Sequence, residues 1–473
     1  MRQHGLPFTA ARAAASLGLR FATALAFGLV SASHSAQGLA SPLTLPQAYD
    51  AAVRHDAQYQ IATKELEAVR QGVPLARAAL LPQVSLNAST AKVVGGREFG
   101  NSLNQSVEVP LDYESPQASL NLRAPLFNYE ALSRLRQATS AADGAQALLA
   151  ARHIDLVNRL TAAYLEVLIQ HEVRVMAEED LRSLQAQAER ARRRFTLGEG
   201  TVQEATAAES AAGLAKNRLV RVQDDVVSAR RELQRITGLE VGALRAAPAD
   251  FAGLSLPLPT LQQWIEQTAE NNPLVRFRRL SLEAAGFGVE RQRAGHYPRM
   301  DLVASMARAD SESVATLNQK TEQRSIGVQL TVPIFSGGGV EAGIAQSLAE
   351  RDRAEQELRA EQENLTLEVE RLYRLTVQGA ERLAANLLAL DAAGVAVKAA
   401  ARAQATGLGT DADYRQALAR QALARRELIQ ARYEFLNQRS QLLVLSGWPS
   451  AQVLGEMARV LSVDATMKEE SQP

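Results

Sequence analysis

The 473-residue chain contains no cysteine. That excludes a disulfide framework and a thiolate metal site, so the fold must be held by packing. Aromatic residues are scarce, at 5%. Together with abundant Ala, Leu, Gln, Glu and Arg, this disfavours a compact sandwich and favours long helices meeting through small side chains. Net charge is also missing, because 52 Lys and Arg balance 52 Asp and Glu, which leaves no electrostatic footprint for nucleic acid. The first 49 residues lack acids altogether, Asp50 being the first. They carry instead Arg2, Arg12 and Arg20, the apolar stretch Phe21 to Val30, and then small residues. This is the order of a secretory signal peptide, assigned to residues 1–40 with cleavage expected after Ser35 or Ala40. Its apolar core is short for a membrane anchor. Further along, no run approaches the ~18 apolar residues of a transmembrane helix, so entry into a membrane would have to use strands.

What is present is written twice. Thr44-Leu45-Pro46-Gln47 matches Thr260-Leu261-Gln262-Gln263 at an offset of 216, and each reads as a capping box opening a helix. The same offset carries Pro82 onto Pro298. Ala124-Pro125-Leu126-Phe127 matches Val332-Pro333-Ile334-Phe335 at 208, and Leu197-Gly198-Glu199-Gly200-Thr201 matches Thr406-Gly407-Leu408-Gly409-Thr410 at 209. Thr237-Gly238 matches Ser446-Gly447, also at 209. A period this long marks a duplicated domain-sized unit. The expected organisation is a first repeat over 42–238, a linker over 239–259, a second repeat over 260–447 and a C-terminal segment over 448–473. The linker and the segment from Trp448 are expected to wrap the waist of the helical region, and Met467 to Pro473 read as disordered.

Each repeat has the same grammar. A capped helix runs to a proline, and two segments of alternating polarity follow, joined by a polar loop and ended by a second proline. Val84, Leu86 and Ala88 alternate with Gln83, Ser85 and Asn87, and Ile326, Val328 and Leu330 alternate with Ser325, Gly327 and Gln329. Leu120 and Leu122, then Met300, Leu302, Ala304 and Met306, continue the pattern. Strands of ~10 residues with one apolar face suit a barrel wall facing lipid on one side and a lumen on the other. A soluble half-buried hairpin is the competing reading, but no other element supplies a core to cover such a sheet. Four strands cannot close a membrane barrel, and open edges in hydrocarbon leave backbone groups without partners. The membrane reading therefore demands oligomerisation. The loops near Gly95 to Asn104 and Ala309 to Thr321 are polar and expected outside the cell.

Asn128 to Arg194 and Gly339 to Thr406 contain no proline and few glycines, and each predicts a helix on the order of 100 Å long. Leu156, Leu160 and Val167, Leu365, Val369 and Leu372, and Leu428, Phe435 and Leu442 keep coiled-coil spacing. A Gly-x-Gly-Thr turn follows each long helix, and a second helix runs back to a glycine. For this part alone, an antiparallel coiled-coil arm is a serious competitor.

Catalytic chemistry does not stand out. Phe335-Ser336-Gly337-Gly338-Gly339 lacks the Gly-Lys-Ser/Thr ending of a phosphate loop and reads as a chain reversal. His55, His153, His171 and His296 show no ligand spacing. The acids lie mostly among arginines on helical faces. No enzyme activity, cofactor or metal is expected.

Signal, duplication, strand pairs ending in Pro-Leu-Phe or Pro-Ile-Phe, and the Gly-x-Gly-Thr turns together resemble the TolC-type outer-membrane factor family, from about Pro42 to Trp448. The resemblance looks closest to the outer-membrane component of a type I secretion system of the kind that exports an adenylate cyclase haemolysin. It implies a mainly α fold with a membrane β-barrel contribution: a homotrimer pooling twelve strands into one barrel, extended by an α-helical tunnel across the periplasm. It implies an export conduit served by a periplasmic adaptor and an inner-membrane ABC-type transporter, passing a polypeptide to the exterior. The tip turns, Gly198, Gly200 and Thr201 with Gly407 and Thr410, would form the tunnel entrance. Glu204 and Asp413 match the acids the family points into the constriction. Three copies of each would deter anions, and crowding of like charge would raise their pKa values. Both also complete capping boxes with Thr201 and Thr410, a role compatible with the first. Three positions depart from the family: Gln416 replaces a second acid, Gln404 a gating tyrosine and Gly409 a gating arginine. An entrance lock would then be weaker, or built from Asp411 with arginines such as Arg402 and Arg415. Phe127 and Phe335, beside Pro82, Pro125, Pro298 and Pro333, are expected at the junction of barrel and tunnel, as rim residues or as hinge packing. The competing functions are a soluble periplasmic adaptor or scaffold, and, less well supported, a general diffusion porin.

Overall fold

The structure, a computed structural model, describes residues 42–100, 106–248, 251, 259–313 and 316–461. The signal segment and the tail from Met467 lie outside the described residues. The chain opens with α1 (Leu45–His55), where Thr44 Oγ1 accepts the Gln47 N–H and Gln47 Oε1 accepts the Thr44 N–H, the expected capping box. The single helix expected before Pro82 is instead three segments: α1, α2 (Ala57–Arg70) and α3 (Gly72–Ala78). The break falls at Asp56, whose carboxylate accepts the Tyr59 N–H at 2.9 Å and so restarts the helix as a new N-cap. The second repeat breaks likewise at Asn272, between α6 (Leu261–Asn271) and α7 (Pro273–Arg293), where Pro273 occupies the first helical position. An N-cap residue inside an apolar-periodic stretch is a stop-and-start signal, and the periodicity alone hides it.

Two strands follow α3, β1 (Gln83–Gly100) and β2 (Ser106–Phe127), and two follow α7, β3 (Arg299–Ser313) and β4 (Thr316–Thr331). They form one antiparallel sheet in the order β1-β2-β3-β4. The strands are longer than the ~10 residues expected. Gly95–Gly100 and Ala309–Ser313, read as loops, continue the hairpin ladders. Alternating hydrophobicity marks the half-buried part of a strand; past it, polar residues on both faces leave the ladder intact. Pro125, expected where pairing stops, lies inside β2 at a bulge, whereas Pro82, Pro298 and Pro333 flank strands. Pairing of β2 with β3 runs only from Gln117 to Phe127 and ends beside Pro116, which has no N–H to donate.

The long helices are α4 (Tyr129–Thr196) and α8 (Gly339–Ala405), of 68 and 67 residues, returning through α5 (Val202–Thr237) and α9 (Asp411–Leu445). At 1.5 Å per residue, α4 and α8 each run about 100 Å. One sequence expectation needs correcting: α8 contains an 18-residue window apolar enough to cross a membrane by composition. The window escapes a search for unbroken apolar runs because isolated polar residues interrupt it. It lies within a helix far longer than a bilayer is thick, and only 6% of the window is buried within the chain.

The core sits mid-length, where α1, α6 and α10 (Ser450–Val460) meet the long helices. Leu45, Leu156, Leu160, Leu233, Ile236, Trp264, Leu442 and Leu454 are all at most 1% exposed. Each Leu-sized side chain buried this way contributes about 1.5–3 kcal/mol. Tyr164 ties the linker to α4: its hydroxyl donates to the Leu43 carbonyl at 2.8 Å and accepts the Arg245 N–H at 3.1 Å. Burial pushes this phenol up to about 12.

Candidate functional site

Two regions carry the sequence-predicted residues, the sheet and the helical tips. Across the sheet, register places Val84, Leu122, Ala304 and Ile326 in one row, and Leu302 and Val328 beside Ala124 in the next. These residues share a face, and its large side chains are open: Leu86 is 73% and Ile326 78% exposed. Along β2 the face is apolar from Ala124 to Pro116, about 26 Å of strand. Beyond it charges appear, with Lys92 Nζ 3.2 Å from Asp112 Oδ1. An exposed apolar face of this extent marks contact with lipid or protein. The opposite face is polar. Ser85, Asn121, Ser305 and Ser325 form one row, Ser305 and Ser325 share a hydrogen bond of 2.8 Å, and Arg123 Nη2 reaches Asp301 Oδ2 at 2.6 Å.

At the foot of the sheet, Phe127 closes β2 opposite Met300 and is 47% exposed. Its duplicate behaves differently: β4 stops at Thr331, and Ile334 and Phe335 beyond it are 96% and 87% exposed. Tyr129 and Tyr297 stack edge to face at 5.2 Å just below the strands.

At the tips, Gly198 and Gly407 adopt φ of 77° and 76°, the left-handed turn that a side chain resists. Gly409 answers a different demand. A Cβ there would lie 2.9 Å from Ala403 Cβ, so any larger residue at this position would force the turn to shift. A Cβ at Gly200 would lie 3.3 Å from Arg194 Cβ, a milder conflict. Both capping boxes form. Thr201 Oγ1 accepts the Glu204 N–H at 3.2 Å, and Thr410 Oγ1 accepts the Asp413 N–H at 3.1 Å and donates to Asp413 Oδ2 at 2.6 Å. The hydroxyl and then the backbone N–H of Thr410 hold the Asp413 carboxyl below its ordinary range. Within one chain the cap therefore sets the direction, opposite to the rise expected from a ring of like charges. Asp411 accepts from Gln404 Nε2 at 3.0 Å and pairs with Arg415 at 2.6 Å, a bridge across the turn. The Arg402 carbonyl accepts the Thr406 hydroxyl, and Gln416 is exposed.

Sequence reasoning missed the Asp56–Arg159 pair and the packing of His153 against Tyr49, whose hydroxyl lies 2.6 Å from His153 Nε2. Burial lowers the His153 pKa. Among the described residues no cluster of His, Cys, Asp or Glu could hold a metal ion.

An amphipathic four-stranded sheet on a duplicated set of 100 Å helices defines a class. The outer membrane efflux protein family matches residues 48–239 and 264–447, and the chain belongs to that family. It is an outer-membrane export channel extending into the periplasm. The proteases secretion protein PrtF of Dickeya chrysanthemi is 29% identical over 428 residues, covering 89% of this chain and 92% of PrtF. The alkaline protease secretion protein AprF of Pseudomonas aeruginosa is 29% identical over 86% of this chain and 84% of AprF. Protein CyaE of Bordetella pertussis is 26% identical over 66% of this chain and 65% of CyaE. Among solved structures, CusC aligns with a TM-score of 0.73 at 17% identity, over 86% of this chain and 93% of CusC. VceC of Vibrio cholerae aligns at 0.71 and 17%, over 86% and 96%. At such identity these two establish the fold.

Proposed function

We propose that three copies of this chain pool their strands into one barrel and their helices into one tunnel, and that the tunnel exports a polypeptide handed over by a periplasmic adaptor and an inner-membrane ABC-type transporter. The observation that carries the proposal is the sheet itself. It has an apolar outer face, a polar inner face and two edges, β1 and β4, on which no strand among the described residues pairs. Such edges are intolerable in hydrocarbon unless another chain completes the ladder. The helices repeat the pattern below. Val220 and Val227 on α5, and Leu388 and Val395 on α8, are exposed apolar residues seven apart, as at a coiled-coil seam awaiting a partner. PrtF and AprF are named for protease secretion, which favours a protein cargo over a small molecule. A soluble adaptor would leave the apolar band in water.

In the same reading the tip turns close the entrance. Glu204 and Asp413, three copies of each, form its negative rings, with Asp411, Gln404, Gly409 and Gln416 lining the same constriction. Conductance of the purified particle in a planar bilayer tests this. Glu204→Gln with Asp413→Asn, which keep hydrogen-bonding groups at both caps, should reduce cation preference and alter conductance at least about twofold. An ohmic pore whose selectivity both substitutions leave unchanged would remove the rings from the account, and no pore at all would remove the conduit.

A further inference from the structure

The duplication allows each hairpin to be read against the other. An offset of 216 carries β1 onto β3, and an offset of 208 carries β2 onto β4. Together they reproduce the observed pairing, in which Lys92↔Glu114 becomes Arg308↔Glu322. Above the apolar band, on the same outward face, the two hairpins differ in charge. The first carries Lys92 with Asp112 and Glu114, and Lys92 Nζ is held by Asp112 Oδ1 at 3.2 Å. In the second, Arg308 takes the place of Lys92, Lys320 that of Asp112 and Arg324 that of Pro116, while Glu322 keeps that of Glu114 and Asp310 replaces Val94. Three cations then stand against two acids, where the first hairpin sets one cation against two.

Arg308 and Arg324 end the apolar face of their strands. On β3 that face runs through Met300, Leu302, Ala304 and Met306 to Arg308, and on β4 through Leu330, Val328 and Ile326 to Arg324. Both arginines are exposed, and neither guanidinium has an ion pair or hydrogen bond among the described residues. Glu322, opposite Arg308 in the ladder, is not bonded to it, and Lys320 has a partner of its own. Because Arg324 pairs with Met306, it is the diagonal neighbour of Arg308, about 7–8 Å away across the ladder. On its other side Arg308 has only Ala118, which is too small to screen it. Two cations held this close repel each other unless an anion lies between them.

We propose that Arg308 and Arg324 form a binding site for the phosphate of a glycolipid in the outer leaflet of the membrane. The inference rests on the reading of the apolar face as lipid-facing and deepens it. The hairpin ends point away from the periplasmic helices, so the two arginines meet the exterior leaflet where its headgroups begin. A long side chain at this boundary lays its methylenes on the apolar face and turns its charge toward the headgroups. Arginine's planar fork donates two parallel hydrogen bonds to phosphate oxygens, so forks on neighbouring strands can hold one phosphate between them. A phosphomonoester carries about −1.5 to −2 charges at pH 7 and answers both cations. The phosphodiester of a glycerophospholipid carries a single charge and answers one. The site therefore selects a glycolipid bearing phosphomonoesters over an ordinary anionic phospholipid. The first hairpin offers no equivalent, because Asp112 neutralises Lys92 and Pro116 stands where the second arginine would be.

The test titrates the detergent-solubilised full-length particle with diphosphoryl lipid A or with phosphatidylglycerol and counts bound lipid by native mass spectrometry. Wild type should bind diphosphoryl lipid A at least about tenfold more tightly than phosphatidylglycerol. Arg308→Gln with Arg324→Gln should weaken lipid A binding at least about tenfold and bring the two lipids level. Lys92→Gln, which removes the twin cation of the first hairpin, should leave the preference as it is. Equal affinity of wild type for the two lipids, or a preference that the double glutamine variant retains, overturns the site and leaves the conduit standing. A particle that takes up neither lipid and stays in solution without detergent overturns the lipid-facing reading as well.

Discussion

Asp56 is a fully buried carboxylate at the break between α1 and α2, and removing it should unfasten the entry helices from the tunnel. It accepts the Tyr59 N–H at 2.9 Å and both terminal nitrogens of Arg159, each at 3.0 Å; Arg159 also reaches Asp155 at 2.9 Å. Burial alone would raise its pKa, but the hydrogen bonds from Arg159 and the Tyr59 N–H outweigh burial and hold it below the ordinary range. Its repeat-equivalent, Asn272, caps α7 without a charge, accepting the Leu274 N–H at 2.8 Å and the Val275 N–H at 3.4 Å. The two changes at Asp56 therefore separate. Asp56→Asn keeps the cap and loses the charge pair, at about 1–3 kcal/mol. Asp56→Ala loses the cap as well and leaves the Arg159 guanidinium with Asp155 alone, at about 3–5 kcal/mol. For a chain of this length each kcal/mol moves the midpoint by roughly 1 °C, a ratio that holds if three chains unfold together. Thermal unfolding of the detergent-solubilised protein, followed by circular dichroism at 222 nm, should rank wild type above Asp56→Asn above Asp56→Ala. Because the folded pKa is depressed, this stability is present above the unfolded carboxylate range and is lost as pH falls below about 4. Asp56→Asn should flatten that acid limb. Equal losses for the two variants would refute the separate role of the cap, and an unchanged acid limb would refute the charge pair.

The helix-ending glycines give a second expectation. Gly238 and Gly447 have φ of 70° and 86°, and a Cβ on either would lie 2.6 Å from the His55 ring or from Asn271 Cβ. Gly238→Ala and Gly447→Ala should each cost about 1–3 kcal/mol, read as a lower midpoint in the same assay. On the sheet, Ile326→Arg places a charge in the outward apolar band and should weaken assembly into lipid by about 2–4 kcal/mol. Ser325→Arg, one residue along on the inner face, should leave assembly into lipid vesicles unaltered.

Much of this was legible because periodicity reports burial. The long helices begin and end within two residues of the expected Asn128 to Arg194 and Gly339 to Thr406, since each is bounded by a cap or a turn glycine. The breaks at Asp56 and Asn272 were not, because an N-cap inside an amphipathic stretch leaves the apolar stripe unbroken. Strand ends were illegible for a related reason: past the apolar band, Lys92, Glu114 and their neighbours continue the ladder with no face to bury. At the tips, Gly409 read only as a departure from a family pattern. Its cause, the approach of Ala403, is a contact in space that no spacing reveals.

The most direct measurement is the mass of the protein particle in detergent, by light scattering with the detergent contribution subtracted. The proposed barrel, in which each chain supplies one third of the wall, requires three copies per particle, and the particle should precipitate when the detergent is withdrawn. A folded single copy that stays in solution without detergent would contradict the account at its base.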